Sequence, residues 1–144
     1  MGHPWYLAVT IFALAEAIWP GNPRAASALY QESAALFRSI GATWGLALPL
    51  TSLGRQALET DRYEEARALF EEGLALRRAV DNTWWLAISL CSLGEVARCE
   101  GNYPPAETYF SEGLTIYPAL GRTHNFAWPL RGLGYVALAR GDYH

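Results

Sequence analysis

The sequence contains no lysine, and its 144 residues include only two cysteines and three histidines. All eleven cationic residues are arginines, which form no basic stripe, and the net charge is −3, so nothing favours a nucleic-acid binder. Cys91 and Cys99 are separated by about 12 Å if they share a helix, whereas a disulfide needs Cα atoms within about 7 Å. No disulfide is therefore predicted, and the two thiols favour a reducing cytoplasm.

The chain also lacks a long uncharged apolar run. Its most apolar stretch, WYLAVTIFALAEAIW, spans Trp5 to Trp19 and contains Glu16. A membrane-spanning helix needs about 20 apolar residues, and a signal peptide begins with a basic segment that is absent here. The stretch fits the repeat described below, so we predict a folded helix and no contact with a membrane.

No constellation of catalytic or metal-binding residues is present. His3, His124 and His144 are scattered along the chain, and His124 has Asn125 beside it but no Asp or Cys at metal-ligand spacing. Neither cysteine has a histidine near it in sequence that could generate a thiolate. The glycines do not form a phosphate-binding loop. We therefore predict that the protein is not an enzyme and holds no cofactor and no metal.

What the chain does contain is an internal repeat with a period of about 40 residues. The segments LTSLGRQALETDRY, LCSLGEVARCEGNY and LRGLGYVALARGDY begin at residues 50, 90 and 130. They divide one domain, residues 1–144, into repeats 4–41, 42–81 and 82–121 and a half repeat 122–144. Each full repeat has two apolar stripes at helical spacing, separated by a turn. A single hairpin of this kind cannot bury both of its faces, so neighbouring hairpins are expected to stack.

The small residues recur while the charged ones change. Gly54, Gly94 and Gly134 lie in the middle of predicted helices, where glycine costs about 1 kcal/mol relative to alanine. We interpret them as points of close helix contact, faced across each hairpin by alanines. These alanines are Ala26, Ala66 and Ala106.

Other positions that recur in the repeat suggest specific structural roles. Threonines are expected to cap the first helices, tryptophans to pack between repeats, and glutamates to form hydrogen bonds or salt bridges between repeats. Prolines inside two first helices are expected to kink or delay them. The threonines are Thr43, Thr83 and Thr123, and the tryptophans are Trp5, Trp44 and Trp84. The glutamates are Glu32, Glu72 and Glu112, and the prolines are Pro49 and Pro129.

The pattern of leucine–glycine, tyrosine, alanine, phenylalanine and glycine resembles the tetratricopeptide repeat. It is carried by Leu53, Gly54, Tyr63, Ala66, Phe70 and Gly73, by Leu93, Gly94, Tyr103, Ala106, Phe110 and Gly113, and by Leu133, Gly134 and Tyr143. The period of 40 is similar to that in kinesin light chains and in large bacterial regulators that join a nucleotide-binding switch to such repeats. The resemblance implies an all-α, right-handed α-solenoid of antiparallel hairpins, with about seven helices in three and a half repeats. The chain is expected to be a fragment of a longer one.

The resemblance also implies a concave groove lined by the first helix of each hairpin. Three columns of residues, each read from the first repeat to the last, would line it. They are Glu16, Arg55, Glu95 and Tyr135; Phe12, Thr51, Cys91 and Arg131; and Trp19, Leu58, Arg98 and Leu138. Their chemistry varies, which is expected both of a surface that a partner reads and of a surface that merely faces solvent. The lysine and asparagine clamp of family members that bind a C-terminal carboxylate is absent, although Arg55 and Arg131 can pair with an acidic ligand.

These observations predict a protein-interaction module that binds a peptide or helix in the groove, within a bacterial regulatory protein of the cytoplasm. The arginine-only, alanine-rich composition favours the bacterial origin. Two alternatives stay open. One is self-association through an uncovered terminal face formed by Leu130, Leu133, Val136 and Leu138. The other is sensing of a small-molecule inducer in a pocket near Trp19, Leu58 and Arg98.

Overall fold

The computed structural model describes residues 3–79, 83–119 and 127–141. Within them the chain forms seven α-helices and no β-strand, which confirms the predicted all-α hairpin fold and its helix number. The helices are α1 Pro4–Ile18, α2 Pro23–Ser39, α3 Thr43–Glu59, α4 Tyr63–Ala79, α5 Thr83–Cys99, α6 Tyr103–Ala119 and α7 Ala127–Arg140.

The chain divides into two compact units, Met1–Val80 and Asp81–His144. The first unit contains the hairpins α1/α2 and α3/α4, and the second contains the hairpin α5/α6 followed by α7. Each unit is described by itself below. The continuity of one solenoid over residues 1–144 stays a prediction.

The turns between helices use residues that tolerate a left-handed backbone. Asp61, Gly101 and Gly141 occupy the same position of the repeat and have φ values of 58°, 74° and 77°. Gly41 has a φ of 67° and directly follows the C-cap of α2. The equivalent residues at 81 and 121 lie outside the described residues. Position 61 shows that aspartate can replace glycine in this turn.

The threonine predicted to cap α3 does not cap it. Thr43 is the first residue of the helix, and the N-cap is Ala42, which makes no side-chain capping hydrogen bond. The helix begins one residue earlier than expected because the Ala42 carbonyl already accepts from the amide of Leu46 at 3.1 Å. Thr83 likewise begins α5, and Thr123 lies outside the described residues.

Both prolines lie within described helices. Pro129 is the third described residue of α7, whose described part begins at residue 127, next to residues outside the described range. Pro49 is buried in the interior of α3, which is nevertheless helical from Thr43 to Glu59.

The mid-helix glycines do mark close contacts in two hairpins, but the partner is a phenylalanine ring. A Cβ atom added at Gly54 would lie 2.6 Å from Cε1 of Phe70, and one at Gly94 would lie 2.9 Å from Cε1 of Phe110. Ala66 and Ala106 are fully buried, and the atoms nearest to the two glycines belong to the phenylalanine rings. The ring lies closest to each glycine because it reaches back one helical turn toward the helix N-terminus, and the predicted glycine–alanine pairing stays a prediction.

The expected contacts between repeats are present in the first unit. The ring centroids of Trp5 and Trp44 are 6.5 Å apart with an interplanar angle of 20°, which confirms stacking between repeats. Nη2 of Arg38 in α2 lies 2.6 Å from Oε1 of Glu72 in α4, which confirms the predicted role of this glutamate. The side chain of Trp84 lies outside the described residues.

Candidate binding surface

In the first unit, α1 with its C-cap and α3 carry three predicted groove residues each, of which Glu16 and Arg55 are exposed and the others are half-buried. The spacing of three or four residues puts Phe12, Glu16 and the C-cap residue Trp19 on one face of α1, and Thr51, Arg55 and Leu58 on one face of α3. Glu16 and Arg55 meet: Nη2 of Arg55 lies 3.6 Å from Oε1 of Glu16, and both side chains are about half exposed.

The Glu16 carboxylate joins three helices of this unit. Its Oε1 accepts a hydrogen bond from the hydroxyl of Tyr30 in α2 at 2.5 Å and another from Oγ of Ser52 in α3 at 2.7 Å. Burial of the phenol, together with its hydrogen bond to Glu16, raises the pKa of Tyr30 to about 12. The phenol therefore stays protonated and donates to Glu16 throughout the neutral range.

Tyr30 is a functional position that the sequence interpretation missed. It stands where the later repeats have Phe70 and Phe110, and no role was predicted for its hydroxyl. The signal was available, because a fully buried tyrosine needs a partner for its hydroxyl, and Glu16 is the acidic residue on the facing helix.

The other groove residues of the first unit are partly occupied by internal contacts. The ring centroid of Phe12 is 5.9 Å from that of Tyr30, and Trp19 packs on the same buried cluster. Oγ1 of Thr51 donates to the carbonyl of Ala47 within α3 at 2.8 Å. Leu58 is half-buried. Arg55 is thus the most accessible cation of this face.

In the second unit, Cys91 is a packing residue, and its prediction as a groove residue is wrong. It is fully buried. A Cβ atom added at Gly113 of α6 would lie 2.9 Å from its Sγ atom. The close approach of α6 covers the thiol, so a ligand cannot reach it.

Glu95, Arg98 and Tyr135 form one cluster in this unit. Nη2 and Nε of Arg98 donate to Oε2 of Glu95 at 2.8 Å and 3.1 Å, and the guanidinium carbon lies 5.2 Å from the ring centroid of Tyr135. Burial disfavours the cation, but the hydrogen bonds and the charge of Glu95 outweigh it and raise the pKa of Arg98. The cluster keeps Arg98 charged beneath the tyrosine ring.

The predicted groove residues on α7 are exposed. Tyr135 is 48% exposed and Leu138 is 60% exposed. Arg131 is exposed as well, and it has no hydrogen-bond or ion-pair partner in the part of the chain that the structure describes. A cation, an aromatic ring and an aliphatic side chain are therefore available together on one helix.

Each unit also has an open cleft that the sequence interpretation missed. Both clefts lie between a second helix and the end of the next first helix, at equivalent positions of the repeat, with volumes of about 760 Å³ and 630 Å³. The lining residues include Ser27, Ala28, Gln31 and Thr60 in the first unit, and Glu107, Thr108, Ser111 and Arg140 in the second. The small and polar residues at these positions of the repeat are the sequence feature that could have indicated the clefts.

The clefts bear on the predicted sensor pocket near Trp19, Leu58 and Arg98. Trp19 lines the cleft of the first unit, whereas Leu58 does not, and Arg98 belongs to the second unit. Across residues 3–79, 83–119 and 127–141, no group of three His, Cys, Asp or Glu side chains could hold a metal ion. No helix formed by these residues is both long and apolar enough to span a membrane.

Comparison with known proteins agrees with this architecture. A family model described as tetratricopeptide repeat matches residues 45–119, just over half of the chain. The crystal structure of BtubC (BKLC) from P. vanneervenii matches with a TM-score of 0.89 and 19% identity. That match covers 99% of this chain but 60% of the BtubC chain, so this chain spans less than two thirds of its length. At this identity the likeness shows the helical-repeat fold alone. No curated protein matches.

Proposed function

Because the chain belongs to the tetratricopeptide repeat family, we propose that it is a protein-binding module whose first helices contact a peptide or helix of a partner. Repeats of this family generally mediate protein–protein interaction and are scaffolds rather than enzymes. The observation that carries the proposal is the exposed set on α7, in which Arg131, Tyr135 and Leu138 combine a cation with apolar side chains. Aromatic and arginine side chains are the commonest anchors of protein interfaces.

The partner segment is acidic with apolar side chains. Arg131 has no carboxylate partner among the described residues, so it can offer its guanidinium donors to an Asp or Glu of the ligand. Tyr135 lies over Arg98, whose two hydrogen bonds to Glu95 fix the cation and support the orientation of the ring. A ring held before binding loses less conformational freedom on binding.

In the first unit, Arg55 offers a contact of the same kind. Its guanidinium forms a 3.6 Å ion pair with Glu16, and half of its side chain is exposed. Glu16 is itself held by Tyr30 and Ser52, so it stays in place when a ligand engages the arginine. Arginine has five N–H donors, which leaves capacity for a second carboxylate.

We place the module in the cytoplasm, within a bacterial regulatory protein. The 40-residue period and the arginine-only composition support this placement. Inducer sensing stays a prediction as well, now centred on the cleft beside Trp19 rather than on Leu58 and Arg98.

Self-association through the α7 face also stays a prediction, with a smaller face than expected. Leu130 and Leu138 are 52% and 60% exposed, whereas Val136 is 2% exposed and Leu133 packs on the core of the second unit. Two of the four predicted contact residues are therefore already used by the fold.

The test is selection of peptides from a random display library on the 144-residue chain, followed by titration of the selected peptides against variants. Arg131→Glu and Tyr135→Ala should each weaken binding about tenfold or more. Arg24→Glu is the matched control: it makes the same charge change on exposed α2, near the helix N-terminus where a carboxylate is favoured. Selected peptides that bind both α7 variants as tightly as the unmodified chain would rule out the proposed surface.

A further inference from the structure

The cleft of the first unit lies between two hairpins of the chain and is bordered by both. It has a volume of about 760 Å³, and its lining residues run from Trp19 at the end of α1 to Arg62 just before α4. The helix α2 packs on α3, whereas no Cα atom of α2 lies within 8 Å of one in α4, so a gap stays open beside α2. Because the hairpins α1/α2 and α3/α4 already border this gap, it is not an uncovered end of the repeat stack. Its volume is typical of sites for small molecules.

A buried amide with an unused acceptor lines this cleft. Gln56 in α3 is 5% exposed, and its Nε2 donates to the carbonyl of Pro23 at 2.8 Å. Its Oε1 accepts no hydrogen bond from any residue that the structure describes. An unpaired buried acceptor is costly, and buried polar atoms are therefore almost always hydrogen-bonded. The Oε1 atom of Gln56 needs a hydrogen-bond donor that enters the cleft.

Opposite charges line the same cleft without pairing. Arg24 in α2 and Glu59 in α3 are both exposed, and neither has a hydrogen-bond or ion-pair partner among the described residues. Arg24 is the second residue of α2, where the helix dipole also favours an anion. The equivalent cleft of the second unit differs, because Nη1 of Arg140 lies 2.5 Å from Oε2 of Glu107 there. The first cleft thus keeps a cation and an anion available to a ligand.

We propose that the cleft of the first unit binds a free α-amino acid. At neutral pH such a molecule carries a carboxylate and an ammonium group, which match the two unpaired charges. The carboxylate accepts hydrogen bonds from the guanidinium of Arg24, and the ammonium group donates to Glu59 and to Oε1 of Gln56. The ring of Trp19 provides an apolar wall for the side chain of the ligand.

This inference goes beyond the proposed function, because Arg24 and Glu59 belong to the first unit and the exposed set on α7 belongs to the second. It names a ligand class for the cleft at which inducer sensing stays a prediction. Peptide binding at α7 and amino-acid binding at the cleft are measured with different ligands and different variants, so either can fail without the other.

The probes are the standard L-amino acids, each titrated to about 10 mM into the ¹⁵N-labelled 144-residue chain while amide chemical shifts are recorded. We expect at least one of them to shift the amides of residues 24–31 and 56–62 saturably, with a Kd of about 1 mM or tighter. The N-acetyl and carboxamide derivatives of that amino acid each lack one charge, and each should bind about tenfold more weakly.

The variants Arg24→Gln and Glu59→Gln remove the two charges without breaking a described hydrogen bond or ion pair. The chain should therefore stay folded, and each variant should bind the amino acid about tenfold more weakly. Glu59→Gln should also bind the amino acid and its N-acetyl derivative with affinities within about twofold of each other, which a merely structural role of Glu59 would not produce. The control is Glu64→Gln, the same substitution at an exposed position outside the cleft, which should leave the affinity within about twofold.

Absence of saturable shifts at the cleft with every amino acid would overturn the proposal. So would binding that is insensitive to both Arg24→Gln and Glu59→Gln. A dipeptide of the best amino acid followed by glycine gives the remaining outcome. If it binds about tenfold more tightly than the free amino acid, a short peptide is the occupant, against the proposal, whereas equal or weaker binding supports the free amino acid.

Discussion

Substituting alanine for two equivalent glycines of the second unit should raise stability at one of them and not at the other. Both Gly94 in α5 and Gly134 in α7 are helical, so alanine gains about 1 kcal/mol of helix propensity at either position. At Gly94 the new Cβ would lie 2.9–3.0 Å from three ring atoms of the fully buried Phe110, and at Gly134 it would meet no described atom within 4 Å. The first substitution is therefore opposed by packing and the second is not.

The magnitude follows from these contacts. Overpacking a buried site costs about 1–3 kcal/mol, which cancels or exceeds the propensity gain at Gly94. Gly94→Ala should thus change the free energy of unfolding by about 0 to −2 kcal/mol, and Gly134→Ala should raise it by about 1 kcal/mol. For a chain of 144 residues, 1 kcal/mol corresponds to roughly 3 °C in Tm, so the two variants should differ by about 3–9 °C.

The assay is thermal unfolding followed by circular dichroism at 222 nm, with urea unfolding as a second measure. Both glycines lie in the same unit, so one transition reports both. Gly132→Ala provides a further control within α7, because its Cβ would lie 2.5 Å from Cζ of Phe110 and should destabilise the chain. The reasoning fails if Gly134→Ala destabilises as much as Gly132→Ala, or if Gly94→Ala stabilises as much as Gly134→Ala.

Three further results are expected. Because the pKa of Tyr30 is raised from 10.0 to about 12, the stability that its protonated phenol contributes is complete below pH 10 and is lost as the pH rises toward 12. In Tyr30→Phe this loss at high pH should vanish, and the free energy of unfolding at neutral pH should fall by about 1 kcal/mol. Urea unfolding at several pH values would show both effects. A maleimide should label Cys99 in the native chain and Cys91 only in denaturant, as intact mass would report. Glu72→Ala should lower stability by less than about 1 kcal/mol in the same unfolding assay, because its ion pair is half exposed.

Most of the fold could be predicted from the sequence because the packing positions repeat. The 40-residue period fixed the number of helices and their approximate bounds, and Trp5 and Trp44 stack as their shared position predicted. The partner of Gly54 could not be read in the same way. Which residue of the opposite helix comes nearest to it depends on the direction of the side chains across the hairpin, and the nearest is the ring of Phe70.

The candidate surface was less predictable, because exposure depends on neighbours distant in sequence. Cys91 shares a column with Thr51 and Arg131, yet the approach of Gly113 buries it. Glu16 was expected to face a ligand, but it accepts hydrogen bonds from residues 14 and 36 positions away in the chain. The position of a residue in the repeat indicates on which side of its own helix it lies, but it does not indicate which residues of other helices contact it.

The central claim, that the first helices form the binding surface, is tested most directly by amide chemical-shift mapping of the ¹⁵N-labelled chain with a selected peptide. The account predicts that the largest shifts fall on exposed positions of α1, α3 and α7, with Arg131 and Tyr135 among them. Shifts confined to the second helices α2, α4 and α6 would contradict it.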